Sequence, residues 1–155
     1  MKRILILIAC IAGCIISGGT AGRMASSGRS EWLFSLNTPS FNPPAFVFFP
    51  VWTLLYILMG YSFYLILTSA KSRFRNNAIF LFLFQLLFNL SWNFLFFKFH
   101  LIGLAFLEIL MLWISIIAMI IAFFRVNKTA AYLQIPYLLW ISFASILNGG
   151  FWYLN

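Results

Sequence analysis

Residues 32–56 read WLFSLNTPSFNPPAFVFFPVWTLLY, and this stretch decides the fold class. It holds four prolines and two tryptophans but no charged residue, and it runs into a long apolar segment. Proline fixes φ and has no backbone N–H, so Pro39, Pro43 and Pro44 keep the segment out of regular helix. Pro44 suits the first position of the helix that follows, where no N–H is needed. The stretch therefore predicts a stiff aromatic loop that enters a membrane helix.

Composition extends this interpretation to the whole chain. Of its 155 residues, 64% are hydrophobic and 8% are charged, and the mean hydropathy is +1.01. A soluble domain of this size cannot bury so much apolar surface, whereas a bilayer is itself an apolar solvent. A helix needs about 20 apolar residues to cross roughly 30 Å of hydrocarbon. Five runs reach that length, at about 4–24, 44–70, 77–99, 102–124 and 129–152.

The backbone of such runs must satisfy its own hydrogen bonds, which at this length only helices do. The sequence thus predicts an all-α integral membrane protein, a five-transmembrane-helix bundle. Residues 1–155 form one domain, and residues 25–43 form a lid loop between the first two spans.

The first span has two interpretations. Two basic residues, an apolar stretch and small residues near Ala21 are typical of a signal peptide. However, small residues recur at every fourth position along one face, at Cys10, Cys14, Gly18 and Gly22. Such a ladder lets a second helix approach closely, which favours a retained span. The two cysteines share this face in a geometry unsuited to a mutual disulfide, and we expect them to be packing residues.

The formal net charge of +8 does not indicate nucleic-acid binding, because the ten basic residues form no contiguous face. They sort by loop instead. One side of the membrane receives Lys2, Arg3, Lys71, Arg73, Arg75, Arg125 and Lys128, and the other receives Arg23, Arg29 and Lys98. The bias predicts a multi-pass protein of the cell membrane with a cytoplasmic amino terminus and the lid outside.

Polar residues inside the spans face the protein interior as a rule. Gln85, Asn89 and Asn93 recur every four residues on the third span. Interhelical amide bonds are worth on the order of 0.6 kcal/mol each, and we assign this role to Gln85 and Asn93. Glu108 lies several residues inside the fourth span, where we expect it to be neutral or hydrogen-bonded. The lone histidine, His100, lies at a span boundary, and we assign it no ligand or acid–base role.

The fifth span contains Pro136, which removes one helical hydrogen bond and predicts a kink. Trp140, Ala144 and Asn148 follow at steps of four on one face, with Ser145 adjoining. Nowhere does the chain carry paired carboxylates, a nucleophile elbow, metal-spaced His and Cys residues or a phosphate loop. We therefore expect no metal site and no enzyme active site of a familiar type.

Three groups of residues along the chain form a recognisable sequence pattern. They are Trp32, Leu36, Pro39, Ser40, Phe41, Pro43, Pro44, Phe48, Pro50, Val51, Trp52, Thr53, Leu55, Tyr56, Met59 and Gly60, then Gln85, Asn89, Trp92, Phe96 and Phe97, then Pro136, Tyr137, Trp140, Ala144, Leu147 and Asn148. In this pattern the chain resembles the TspO/MBR family, the translocator proteins or peripheral-type benzodiazepine receptors, and in particular its bacterial members.

The resemblance implies a five-helix bundle, usually a homodimer, whose first loop caps a pocket. It implies binding of porphyrins such as protoporphyrin IX, of sterols, and of isoquinoline carboxamide or benzodiazepine drugs. Some bacterial members are associated with light-dependent breakdown of protoporphyrin IX. No cofactor is obligatory in this interpretation, since protoporphyrin IX is both ligand and photosensitiser.

The resemblance also assigns residues. Trp52 and Trp140 correspond to the pocket tryptophans nearest the tetrapyrrole and are the candidates for promoting its oxidation. The candidate ligand-binding set adds the lid contacts Trp32 and Pro43, the pocket amide Asn89, the wall residue Ala144, and Tyr56 and Asn148.

The chain departs from the family pattern in three places. Thr38 stands where a basic residue is frequent, and Phe41 stands where Trp is frequent. The final FWYLN places no Lys or Arg after Tyr153, so we do not expect sterol binding through the proposed cholesterol motif, a weak pattern in any case.

The leading hypothesis is a membrane receptor that binds tetrapyrroles and promotes their light-dependent oxidative degradation. One alternative is a transmembrane transporter of porphyrins or sterols, although the chain has no inverted repeat or coupling-ion site. Another alternative is a non-catalytic stress sensor that presents its lid to partners.

Overall fold

The computed structural model describes residues 1–25 and 29–155, with the side chains of residues 29 and 30 left aside. Part of the predicted lid, residues 26–28, lies outside the described residues. The described chain contains helices α1 (Lys2–Met24), α2 (Arg29–Ser35), α3 (Ala45–Leu67), α4 (Arg73–Asn93), α5 (Ile102–Phe124), α6 (Lys128–Tyr132) and α7 (Ile135–Leu154), and a π-helical segment (Phe94–Lys98) that continues α4.

Five of these units are long and apolar enough to cross a membrane: α1, α3, α4 with its π-helical segment, α5, and α6 with α7. The prediction of an all-α bundle with five membrane spans is therefore confirmed. Each predicted span overlaps one of these units, and the bounds differ for local reasons.

Two of these bounds illustrate the local chemistry. Helix α3 begins at Ala45, and Pro44 is its N-cap in an extended conformation with ψ of 142°, so the prediction of Pro44 as the first helical residue was wrong by one position. Helix α4 begins at Arg73, four residues before the predicted start. The hydroxyl of Ser72 accepts a 3.2 Å hydrogen bond from the Arg75 backbone N–H, which caps the helix and permits the earlier start.

Close helix contacts organise the bundle. Helix α1 packs against α3 and α4, α4 packs against α5, and α5 packs against α7. A Cβ atom built on Gly60 would lie 2.5 Å from the Ile11 Cα, so only glycine allows this approach of α3 to α1. On the small-residue ladder of α1, Cys14 and Gly18 are buried, whereas Gly22 has open space around it. Helix α1 is thereby part of the packed bundle.

The fifth span is broken rather than smoothly kinked. Helix α6 ends at Tyr132, and α7 resumes at Ile135 with Pro136 in its first turn. Proline has no N–H and its ring collides with the carbonyl of the residue four positions earlier. Here that residue is Tyr132, the last of α6. The distortion predicted from Pro136 is therefore present, but as a break between two helices rather than a kink, and it lies one to three residues before the proline.

Candidate functional site

A chain of hydrogen bonds crosses the bundle interior. The Tyr56 hydroxyl of α3 donates to Asn89 Oδ1 of α4 over 2.8 Å. Asn89 Nδ2 donates to the Tyr137 hydroxyl of α7 over 2.9 Å. That hydroxyl donates in turn to Gln85 Oε1 over 3.0 Å. All four side chains are buried and uncharged, so the chain joins three spans without placing a formal charge in the membrane interior.

The predicted pocket residue Trp52 lies against this polar chain. Its ring stacks on Tyr56 with centroids 5.5 Å apart and an interplanar angle of 29°. Its second neighbour is Tyr137, whose ring meets it edge to face at 6.4 Å. Both tyrosines are held by Asn89, so the hydrogen bonds fix the surface against which Trp52 rests. The structure thus brings together Trp52, Tyr56 and Asn89 from the predicted set.

Gly18 completes the support of Tyr56 from the opposite side. It is buried in α1, and a Cβ at this position would overlap the Tyr56 ring. The tyrosine therefore has no room to swing away from Asn89 toward α1. This use of the small-residue ladder was not apparent from the sequence, which indicated close helix approach but not the ring that occupies the space.

An apolar groove of about 370 Å³ opens beside this cluster, between α3 and α7. It is lined by Val51, Leu54, Leu55, Pro136, Leu139, Trp140 and Phe143. Leu54 and Leu139 are 56% and 65% exposed, so the groove opens sideways on the surface that faces lipid. A molecule dissolved in the bilayer would reach it without passing through water.

Trp140 is the predicted site residue that lines this groove. Its ring contacts Phe48 edge to face at 5.8 Å and Phe143 at 5.6 Å. Its indole N–H is buried and has no hydrogen-bond partner among the described residues. A buried donor without an acceptor is unfavourable by roughly 1–3 kcal/mol. The groove therefore has an unused hydrogen-bond donor in one of its lining residues.

The remaining predicted site residues lie in different surroundings. Ala144 is half-buried one helical turn after Trp140 and packs against the main core. Asn148 belongs to a separate contact set, since it accepts a 2.9 Å bond from Trp92 Nε1 and donates a 3.3 Å bond to the Ile102 carbonyl. These bonds tie α7 to α4 and to the start of α5. A ligand role for Asn148 stays a prediction.

The prediction of a loop throughout residues 25–43 was wrong, because helix α2 (Arg29–Ser35) lies within this segment. The lid segment packs on the end of the bundle through Trp32 of that helix. Its ring stacks on His100 with centroids 4.2 Å apart, and it meets Phe96 edge to face at 5.2 Å. His100 has a left-handed backbone with φ of 58°, a conformation that histidine tolerates better than most residues. Sequence reasoning gave His100 no role beyond the interface and missed this stacking, because the π-helical segment that precedes it has no sequence signature. The other lid prediction, Pro43, is half-buried ahead of α3.

A second attachment of the lid was also missed. The Asn37 backbone N–H donates to Asn155 Oδ1 over 2.8 Å, and Asn155 Nδ2 donates to the Asn37 carbonyl over 3.0 Å. Asn37 Nδ2 adds a 3.2 Å bond to the Leu154 carbonyl. Residues 118 positions apart thus form a clamp between the lid and the end of α7. The only signal in the sequence is an amide side chain in an apolar loop, and this signal does not predict which residue it binds.

The buried polar residues predicted to join helices divide three ways. Gln85 accepts from Tyr137 of another span, which confirms its interhelical role. Asn93 donates a 3.2 Å bond to the Asn89 carbonyl of its own helix, so the interhelical role predicted for Asn93 was wrong. The π-helical segment begins at the next residue. Glu108 accepts a 2.6 Å bond from the Ser91 hydroxyl, in agreement with the prediction of a hydrogen-bonded acid.

The model of the TspO/MBR family matches residues 7–154. The Tryptophan-rich protein TspO of Chlorobaculum tepidum is 40% identical over 148 residues, which are 95% of this chain and 94% of that protein. The Tryptophan-rich sensory protein of Cereibacter sphaeroides is 33% identical, with 89% and 84% of the two chains covered. The human Translocator protein is 32% identical, with 90% and 82% covered. With five membrane-spanning helices and a family match over nearly its whole length, this chain belongs to the TspO/MBR family of multi-pass membrane proteins.

Proposed function

We propose that this protein is a membrane receptor that binds tetrapyrroles such as protoporphyrin IX and promotes their light-dependent oxidative degradation. The observation that supports this most is the lipid-facing groove lined by Trp140, next to the Trp52–Tyr56 stack. Relatives named as sensory protein and as Translocator protein are consistent with a receptor. By the same argument, the site would accept flat aromatic drugs of the isoquinoline carboxamide and benzodiazepine classes.

The dimensions and chemistry of the groove suit a planar apolar ligand. Its volume of about 370 Å³ lies at the low end of the range of about 300–1,000 Å³ for ligand sites. Because the groove is open to lipid, a large ring would insert one edge and leave the other in the bilayer. Tryptophan offers wide contact area at small entropic cost, so the Trp140 ring suits a flat ligand.

Asn89 has a supporting part in this proposal. Its carbonyl oxygen already accepts from Tyr56, and its amide nitrogen already donates to Tyr137. Asn89 is also buried below the groove surface. We therefore infer that Asn89 is a positioning residue that holds the two tyrosines behind Trp52, and that Trp140, which lines the groove, contacts the ligand directly.

The chemistry would come from the pigment, from light and from O2. In the net reaction, O2 is the oxidant: one C=C bond of a methine bridge breaks, and two C=O bonds form from the two oxygen atoms. The electron-rich indoles of Trp52 and Trp140 would transfer an electron to the excited ring and then accept it back. The protein is therefore unchanged at the end of the reaction. The rigid stack would hold the ring in one orientation during this exchange.

Titration of the purified protein with protoporphyrin IX tests the proposal, in darkness and under illumination. In darkness we expect saturable quenching of tryptophan fluorescence. Under light we expect loss of the porphyrin absorbance and growth of a product band, faster than for free porphyrin in the same detergent. Quenching that rises linearly without saturation would overturn the binding proposal, and saturable quenching without faster photochemical loss would overturn degradation.

The lid clamp favours a second candidate, a sensor. The Asn37–Asn155 contact joins the loop to the helix that carries Trp140, so ligand in the groove would alter the position of the lid. Hydrogen exchange at residues 36–38, measured with and without protoporphyrin IX in darkness, separates the candidates. A sensor requires a change in protection on binding, whereas a protein that only degrades its ligand does not.

A further inference from the structure

One end of the bundle carries a concentrated positive charge. Successive spans run in opposite directions, so this end collects Lys2, Arg3, Lys71, Arg73, Arg75, Arg125 and Lys128. The chain has only two acidic residues. Glu31 lies in α2, and Glu108 lies in the first third of α5, both toward the opposite end. No carboxylate therefore offsets the seven basic side chains where they gather.

Two arginines at this end are held in defined positions. Arg75 donates to the Ile66 and Leu67 carbonyls over 3.2 and 2.8 Å, and so closes the carboxyl end of α3. Arg125 follows α5, with its guanidinium carbon 5.9 Å from the centroid of the Phe74 ring. A cation–π contact orients the guanidinium but uses none of its five N–H donors. Arg125 thus lies beside Phe74, and this contact leaves its N–H donors unengaged.

Arg125 lies at the end of a second groove, of about 300 Å³, between α4 and α5. Its lining residues are Phe74, Asn77 and Leu81 of α4, Ala118, Ile121 and Ala122 of α5, and Arg125, which follows α5. Phe74 and Ile121 are 52% and 53% exposed, so the groove faces outward to the lipid. At about 1.5 Å per residue it extends roughly 10 Å from Phe74 to Leu81. The polar groups Asn77 and Arg125 lie toward its charged end, and aliphatic residues line the rest.

We propose that this groove binds an anionic phospholipid. Arg125 and Asn77 would hydrogen-bond the phosphate, and one acyl chain would lie along Leu81, Ala118 and Ile121. Charge complementarity decides the occupant, because a cationic end without carboxylates attracts an anionic headgroup. A second copy of this chain, also at +8, would meet like charge here. The site lies outside the tetrapyrrole groove and does not depend on it.

Native mass spectrometry of the whole protein in a neutral detergent tests the proposal. The probes are phosphatidylglycerol and phosphatidylcholine with identical acyl chains. We expect phosphatidylglycerol to bind in preference, and Arg125→Gln to weaken its binding about fivefold, the effect of one basic residue at an anionic surface. The matched control is Lys71→Gln, which removes one charge from the same end but outside the groove, and should change binding less than about twofold.

A second variant distinguishes lipid binding in the groove from a general attraction of the lipid to the positive end of the bundle. Ala118→Leu keeps every charge but fills the apolar part of the groove, so it should also weaken phosphatidylglycerol binding. Equal losses in Arg125→Gln and Lys71→Gln would overturn the proposal in favour of diffuse attraction. Undiminished binding in Ala118→Leu would overturn the groove as the site, and equal binding of both lipids would overturn charge recognition. Protoporphyrin titration of Arg125→Gln should match the unaltered protein, which keeps this test separate from the proposed function.

Discussion

The hydroxyl of Tyr56 donates a 2.8 Å hydrogen bond to the side-chain oxygen of Asn89, and both groups are buried between α3 and α4. The same amide donates to Tyr137 on α7, so one residue couples two aromatic rings from different spans. Trp52 contacts both of these rings. The packing of Trp52 is thereby set by Asn89 through the two tyrosines.

Replacement of Asn89 tests this coupling. Asn89→Leu would leave the Tyr56 hydroxyl without its acceptor, and it would remove the donor to Tyr137. We expect a loss of unfolding free energy of about 1–3 kcal/mol, the penalty for an unsatisfied buried polar group, and weaker porphyrin binding. Denaturant titration in detergent micelles measures the first effect, and fluorescence quenching measures the second.

Asn93→Leu is the matched control for this variant, because Asn93 is one turn further along α4 and bonds only within its own helix. Its effect should stay below about 0.6 kcal/mol, the mean for a polar contact between membrane helices. Equal destabilisation by the two variants would contradict the special role of Asn89.

Gly18→Ala tests the space behind Tyr56. The added Cβ would overlap the Tyr56 ring, so the ring must shift and the bond to Asn89 must lengthen. Overpacking of this kind reduces stability by about 1–3 kcal/mol. Thermal unfolding monitored by circular dichroism gives the stability, and the near-ultraviolet aromatic signal reports the ring.

Gly22→Ala provides the comparison on the same face of α1, where no atom of the described residues lies within 4 Å of the added Cβ. This substitution should be neutral or stabilising by up to about 1 kcal/mol, since alanine is the better helix former. The interpretation fails if the two alanines have the same effect.

The double variant Trp52→Phe with Trp140→Phe tests the photochemical part of the proposed function. Phenylalanine keeps an aromatic face but lacks the electron-rich indole. We expect the light-dependent loss of bound protoporphyrin to slow at least about tenfold while its Kd rises less than about threefold. Absorbance under constant illumination gives the rate, and quenching in darkness gives the affinity.

Trp152→Phe is the control for removal of an indole, because Trp152 is 56% exposed and contacts Phe106 away from the groove. This variant should leave the rate of light-dependent porphyrin loss and the Kd for protoporphyrin unchanged. An unaltered product spectrum and rate in the double variant would exclude the indoles from the reaction.

Asn155→Ala tests the clamp on the lid. The variant loses the two hydrogen bonds between the Asn155 side chain and the Asn37 backbone, each worth about 0.5–1.5 kcal/mol. We expect faster hydrogen exchange at residues 36–38 and faster dissociation of protoporphyrin in stopped-flow chase experiments. Asn42→Ala removes an exposed lid amide whose side chain makes no such bond, and it should match the unaltered protein. Unchanged exchange in Asn155→Ala would show that the clamp does not hold the lid.

The hydrogen-bond partners of the polar side chains could not be predicted from the sequence. Asn89 and Asn93 are the same residue type, four positions apart on one helix, yet one joins three spans and the other bonds to its own backbone. The difference depends on which side chains of the neighbouring helices lie opposite each amide, since Asn89 meets Tyr56 and Tyr137. Tyr137 was part of the family motif but not of the predicted site. A tyrosine within an apolar span needs a hydrogen-bond partner, and this was the available signal.

The sequence by itself determined the five spans, the non-helical proline-rich stretch before the second of them and a distortion of the last span near Pro136. These features follow from short stretches of chain, because a helix satisfies its backbone internally and a bilayer requires about 20 apolar residues per crossing. The tertiary structure alone decided that Tyr56 meets Asn89, that Trp32 meets His100 and that Asn37 meets Asn155. Those contacts depend on the rotation and approach of whole helices, which close contacts such as Gly18 with Tyr56 and Gly60 with Ile11 set across the bundle.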